Sequence, residues 1–231
     1  MSTENCFNLV GDGDDVTVLT SVEQAFGIKI SDAEATNCET FGQLFGVVWA
    51  KLEKVDLVGL RCPSAAAFYK LRAGLSDCGF QGKITLGSEL NAFFRQNGTK
   101  QTREKLAKKT GLELPHLRLT ALSTAVLACI FSVGLIGSVT HSSWLPVFVS
   151  ALVSAGLMFL LPKEFPRAAA NMQGFTNVCT AWNFGQLAST CGGARSSDAW
   201  NALAIVVRES AGTSFNGKID RETRFFPLRA A

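Results

Sequence analysis

The chain has 231 residues, 47% of them hydrophobic and 18% charged, which is enough for one large or two small domains. Its net charge of +3 is unevenly placed: residues 1–60 carry ten acids against three lysines, and residues 61–118 four acids against eleven lysines and arginines. That asymmetry argues for separate surfaces with different partners. The seven cysteines include no CxxC pair and one lies in an apolar run, which excludes a disulfide framework or a zinc site.

The first ten residues lack a basic-then-apolar signal, so nothing is expected to be cleaved. Residues 12–54 read as three helices. Val16, Leu19, Val22 and Phe26 recur at helical spacing as one apolar stripe, with Asp14 or Asp15 as cap and Gly27 as stop. Ser31-x-x-Glu34 and Thr40-x-x-Gln43 are capping boxes, and the second precedes the apolar face Phe41, Leu44, Phe45, Val48, Leu52. Helices this short must pack on one another or on later segments. The aspartates of "DGDD" lack the spacing of a calcium loop, and helix capping accounts for them.

The stretch "GDGDDVTVLTSVEQAFGIKISDAEATNCETFGQLFGVV" resembles the C-terminal two-thirds of an acyl carrier protein. The order matches: a recognition helix, "F-x-x-x-I", a short acidic third helix, then a "T-hydrophobic-G-x-L" final helix. The resemblance places Gly11, Asp12 and Gly13 at the family's Asp-Ser-Leu attachment site. A carboxylate at Asp12 cannot form the phosphodiester that holds phosphopantetheine, so Asp12 is a degenerate attachment position and no cofactor is expected. The family meets basic partner enzymes through acids on the recognition helix. The resemblance thus assigns Asp12, Asp14, Asp15 and Glu23 to binding a basic protein partner, although Thr17, Gln24 and Ala25 depart from the pattern.

Farther on, residues 65–90 and 200–225 share Phe80/Phe215, Gly82/Gly217, Lys83/Lys218 and Ile84/Ile219 at a constant offset of 135, an internal repeat. Each copy resembles a carrier protein's first helix and the loop after it. A fainter echo pairs Phe41 and Leu44 with Phe175 and Val178. The expectation is a split or permuted bundle, in which a later first-type helix completes the one begun at residue 14. Ser88 in "LGSEL" is expected to cap the helix "ELNAFF", not to carry a modification.

The run "RQNGTKQTREKLAKKTG" follows, with an Asn97-Gly98 turn and a basic helix. It lacks interleaved aromatics and a recognition helix, so anionic lipid is expected at Lys100, Arg103, Lys105, Lys108 and Lys109, and nucleic acid is not. Leu119–Val139 then runs 21 residues without a charge, and Trp144–Leu161 a further 18. At about 1.5 Å per residue each is about long enough to cross a hydrocarbon core of ~30 Å. Only "THSS" lies between them, and Lys and Arg flank the pair on the outside alone, so both termini are expected in the cytoplasm. Ser150/Ser154, Ala151/Ala155 and Val133/Gly137 place small residues four apart, a spacing that would also serve oligomerisation through the hairpin. Neither segment carries an ionisable residue beyond Cys129, which argues against transport.

The only histidines, His116 and His141, flank the first apolar segment and are expected on opposite sides of the membrane. No nucleophile motif, phosphate-binding loop or HExxH occurs, so no catalytic and no metal-binding residues are expected.

The expected fold class is all-α: a transmembrane helical hairpin plus a small cytoplasmic helical bundle resembling split or permuted acyl carrier protein units. The expected divisions are 1–60 (carrier-like helices), 61–116 (first-type helix, loop and basic helix), 117–162 (hairpin) and 163–231 (second cytoplasmic segment). The expected role is a non-catalytic, carrier-like interaction or scaffold module integral to a membrane, here the bacterial inner membrane. The alternatives are a structural accessory subunit of a larger membrane complex and a true carrier modified at an atypical serine.

Overall fold

The computed structural model describes residues 5–11, 13–52, 62–141, 143–211, 215 and 217–227. Within them the chain is mostly α-helical: α1 (Asp14–Phe26), α2 (Asp32–Thr36), α3 (Phe41–Lys51), α4 (Pro63–Asp77), α5 (Asn91–Gln96), α6 (Thr99–Thr110), α7 (Ala121–His141), α8 (Leu145–Leu160), α9 (Met172–Trp182), α10 (Phe184–Thr190) and α11 (Ser196–Ser210). A 3-10 turn, Arg167–Ala169, precedes α9. Two short strands, β1 (Arg118–Leu119) and β2 (Lys163–Glu164), pair antiparallel on either side of α7 and α8. The boundary expected near residue 60 falls among residues 53–61, outside the described residues.

Helix α9 is the axis of the bundle. Met172, Phe175, Thr176, Val178, Cys179, Thr180, Ala181 and Trp182 are all buried. A helix apolar nearly all round must be covered on every side, and here α1, α4, α10, α11 and the 3-10 turn cover it. The two buried threonine hydroxyls are satisfied inside the helix, Thr176 donating to the Met172 carbonyl and Thr180 to the Thr176 carbonyl, both at 2.7 Å. Burial pushes the Cys179 thiol well above its ordinary range, which keeps it neutral among apolar neighbours.

The N-terminal helices follow the capping signals closely. In α2, Ser31 Oγ accepts from the Glu34 N–H, and Glu34 Oε2 accepts from the Ser31 N–H at 2.8 Å. In α3, Thr40 and Gln43 make the same reciprocal pair. Gly27 ends α1 in the left-handed region at φ 64°. The start of α1 is different. Gly13 is the cap residue, and Asp14 reaches backwards to accept from the Val10 and Gly11 N–H groups. The buried side of α1 is Val18, Val22, Ala25 and Phe26, while Val16 is 60% exposed. Residues 16, 19, 22 and 26 and residues 18, 22, 25 and 26 both keep helical spacing. Contact with α10 and α11 buries the second set, with Leu19 partly buried beside it, so that of the expected stripe only Val16 is left outside.

Both α1 and α3 pack on α11, across almost the whole length of the sequence, and α4 packs on α6 and α9. The repeat is written in hydrogen bonds. In one copy Phe41 N–H donates to the Thr223 carbonyl, Gly42 N–H to Arg221 and Phe225 N–H to Glu39. In the other, Met172 N–H donates to Ser88, Gln173 N–H to Leu86 and Leu90 N–H to Ala170. Thr223 Oγ1 accepts from the Asp220 N–H as Ser88 Oγ does from Thr85, each at 2.9 Å. Ser88 therefore fastens a turn and does not cap α5, whose cap position is Leu90. The loop side keeps the offset of 135, whereas the helix side is offset by 131, so Leu44 corresponds to Phe175 and not Val178. A slip of three residues is nearly one helical turn and leaves an apolar pattern almost unchanged, which is why the pattern alone misplaced it.

Two outcomes test this packing. Gly185 in α10 lies so close to the Phe26 carbonyl that a Cβ there would collide with it, whereas Gly46 in α3 faces open space. In urea unfolding, Gly185→Ala should lose about 1–3 kcal/mol, and Gly46→Ala should be neutral or gain up to about 1 kcal/mol. Glu34 is held at about 2, from an ordinary 4.5, first by the Lys51 side chain and then by the Ser31 N–H and hydroxyl. A depressed carboxyl stabilises the fold above its unfolded value, and that stabilisation is lost as pH falls from about 4.5 to about 2. Acid titration of stability should therefore be shallower across that window in Glu34→Gln than in wild type.

Candidate functional site: the acidic helix and the base of the hairpin

Two regions carry the residues singled out from the sequence. The first is α1. Asp12 lies outside the described residues. Asp14 is half-buried, and its carboxyl is lowered chiefly by the Val10 N–H, with Gly11 adding to it. Glu23 is lowered first by the Ile30 N–H, which donates at 2.7 Å, and then by Lys29 at 2.9 Å. Both carboxylates thus fasten the chain that enters or leaves α1, which sequence spacing does not reveal because their partners lie in irregular backbone. Asp15 accepts from the Val16 N–H and edges an apolar cleft between α1 and α2. The structure does not gather Asp14, Asp15 and Glu23 about a common partner group.

The second region is the base of the α7–α8 pair. Arg118 pairs with Glu164 and Leu119 with Lys163 across the β1–β2 ribbon. Ser123 Oγ donates to the Pro162 carbonyl, closing the same base, and the ribbon contacts α6 through β2. On α6, Lys100, Lys105 and Lys108 are exposed. Of the other two expected lipid-facing residues, Arg103 is half-buried and engaged within the bundle, while Lys109 is exposed and paired at the surface. Arg103 donates to the Leu114 carbonyl at 2.7 Å and the Pro115 carbonyl at 3.0 Å, folding residues 111–117 back on the helix. Lys109 meets the Asp77 carboxylate at 3.4 Å and its carbonyl at 3.3 Å, tying α6 to α4. His116 stacks edge-on against Trp182, whose indole N–H donates to Glu209; the His141 side chain is outside the described residues.

Helices α7 and α8 run antiparallel and pack mainly on each other. At this contact Gly134 lies against Ser150 and Gly137 against Pro146, with no room for a Cβ at Gly134. Ser150 is buried there, while Ala151, Ala155 and Val133 of the expected small-residue pairs face outward. The Ser154 hydroxyl is enclosed without a hydrogen-bond partner among the described residues. Helix α7 is long and apolar enough, by length and composition, to cross a membrane over Ala121–Thr140, and α8 is a shorter apolar helix. The second span is thus shorter than the 18 residues expected, because Trp144 and Leu161 lie outside the helix as its flanking residues. Among the described residues no group of three or more His, Cys, Asp or Glu could hold a metal ion.

Comparison of the chain with protein-family models, curated proteins and solved structures returned no match, so any function must be argued from these two regions.

Proposed function

We propose that the protein is a membrane-anchored, non-catalytic interaction module, with the α7–α8 hairpin inserted in the bilayer and the bundle carried on its cytoplasmic face. One observation carries this reading: only 11% of the apolar span of α7 is buried in the fold. Val139, Phe159 and Leu160 are each more than 80% exposed. Exposed apolar area on this scale marks a membrane or protein contact. At about 1.5 Å per residue α8 covers about 24 Å, less than a ~30 Å core. Trp144 at its start suits the headgroup region, and local thinning accommodates the remainder. Lys100, Lys105 and Lys108 then lie on the helix that meets the ribbon at the hairpin base, where anionic headgroups would sit.

The carrier-like character of α1–α3 is part of the same proposal. It rests on the helix order and the two capping boxes, with Asp12 in place of the attachment serine. Such a module would bind a basic protein partner without carrying a prosthetic group. A second reading, a structural accessory subunit of a larger membrane complex, is favoured by a specific observation: Asp14 and Glu23 are already committed to their own backbone.

Residues 120–162 can be replaced by a short Gly-Ser turn, because Leu119 and Lys163 are already paired. The full chain should sediment with membranes and resist carbonate extraction, and the shortened chain should be soluble with its remaining helices intact. A full chain that stays in solution without detergent would overturn the anchor. In vesicle flotation of the shortened chain, Lys100→Gln, Lys105→Gln and Lys108→Gln should each weaken binding to anionic lipid by about 1 kcal/mol. Arg103→Ala should act mainly through stability.

A further inference from the structure

The cleft edged by Asp15 deepens the interaction-module reading. It has a volume of about 400 Å³, within the range of ordinary ligand pockets. Its walls come from Val18 and Leu19 of α1, Ala35 of α2, Cys38, Leu44 of α3, and the Leu9 and Phe225–Phe226 segments. The Leu9 and Phe225 backbones are joined by a hydrogen bond of 2.9 Å, so the far wall is fixed. Phe226, at its edge, remains 39% exposed.

The repeat makes this cleft conspicuous. Phe225 corresponds to Leu90 and Leu44 to Phe175 by the matched hydrogen bonds. Around Phe175 the space is filled by rings, with Phe94 at 6.0 Å and Phe165 at 5.1 Å between centroids, and these two touch each other at 4.7 Å. Around Leu44 and Phe225 the corresponding region is an open, apolar cleft. Among the described residues, the same architecture is plugged by its own aromatics in one half and carries an open cleft in the other; residue 229, which the 135-residue offset sets opposite Phe94, lies outside them.

The rim supplies the charge. Asp15, Asp32 and Glu39 border the cleft, and among its described lining residues there is no lysine or arginine. Glu39 is met from the flank by Arg224 at 3.1 Å. An apolar floor under a carboxylate rim complements a bulky apolar side chain flanked by cations, and repels one flanked by acids.

We infer that this cleft is the docking pocket for a basic protein partner, receiving one large apolar side chain while Asp15, Asp32 and Glu39 meet lysines or arginines on either side of it. The inference rests on the interaction-module reading but moves the contact from the Asp14–Glu23 line to the α1–α2 cleft. It places Phe226 at the edge of the pocket that receives the anchor.

The test uses the full chain in nanodiscs of zwitterionic lipid, with Leu and Val methyl groups labelled for NMR. The probe is a pentapeptide with phenylalanine between two pairs of lysines. The controls replace the phenylalanine by alanine, or the lysines by glutamates. Binding of the probe should shift the methyl signals of Val18, Leu19 and Leu44, and both controls should be at least tenfold weaker. Ala35→Trp, which fills the cleft from α2, should abolish those shifts. Asp32→Asn with Glu39→Gln should weaken them at least fivefold, and these surface changes keep the readout open if the tryptophan disturbs the bundle. Absent shifts, an equal response to the glutamate peptide, or undiminished binding by Ala35→Trp would each overturn the cleft. A chain that is integral to membranes yet gives no shifts would overturn the cleft alone, whereas a chain that never enters membranes would overturn the anchored reading whatever the shifts report.

Discussion

The burial of α9 is the constraint on which the rest of the bundle depends. Eight of its eleven residues are enclosed, and no single neighbouring helix can cover that much surface. Cover has to be drawn from α1 at one end of the chain, α11 at the other and α4 between them. The chain is therefore obliged to fold back on itself over nearly its full length. The pairing of Phe7 and Leu9 with residues 224 and 225 is the surface expression of that requirement. The end of α9 is locked in the same way, by Asn183, which accepts from the Glu113 N–H at 2.7 Å and donates to the Glu113 carbonyl at 2.8 Å. That lock draws the segment after the basic helix over the axis.

Within this frame the two copies of the repeat diverge in a directed way. Both use a hydroxyl residue, Ser88 or Thr223, to shape the loop that meets the start of α9 or α3. In one copy the adjoining helix is the basic α6, and Phe94 and Phe165 fill the interior. In the other it is the acidic start of α1, and a cleft remains. Opposite charge and opposite filling on the same scaffold suit two surfaces with different duties. One would face anionic headgroups and the other a basic partner under the function proposed here.

The β1–β2 ribbon separates two different packing regimes. On one side, side chains interlock as in a water-soluble core. On the other, α7 and α8 approach closely through Gly134, Ser150, Gly137 and Pro146 and leave their long apolar side chains outward. Large apolar side chains turned outward are the inverse of a soluble core, and under the function proposed here lipid would be their solvent.

The sequence by itself determined what depends on neighbours three or four residues apart. The capping boxes at Ser31 and Thr40, the stop at Gly27, the apolar run of α7 and the 135-residue repeat could be read from it because local hydrogen bonding and composition decide them. The tertiary structure decided the rest. It chose Val18 over Val16 on α1, moved the register of the fainter echo by three residues, and assigned Ser88 to a turn. It also separated Arg103, engaged in packing, from the exposed Lys100, Lys105, Lys108 and Lys109, the last of them paired with Asp77 at the surface. Identical residue types at equivalent spacing had to be distinguished by partners far away in the chain. Helical periodicity specifies a face only to within a turn, and only the surface it meets selects one.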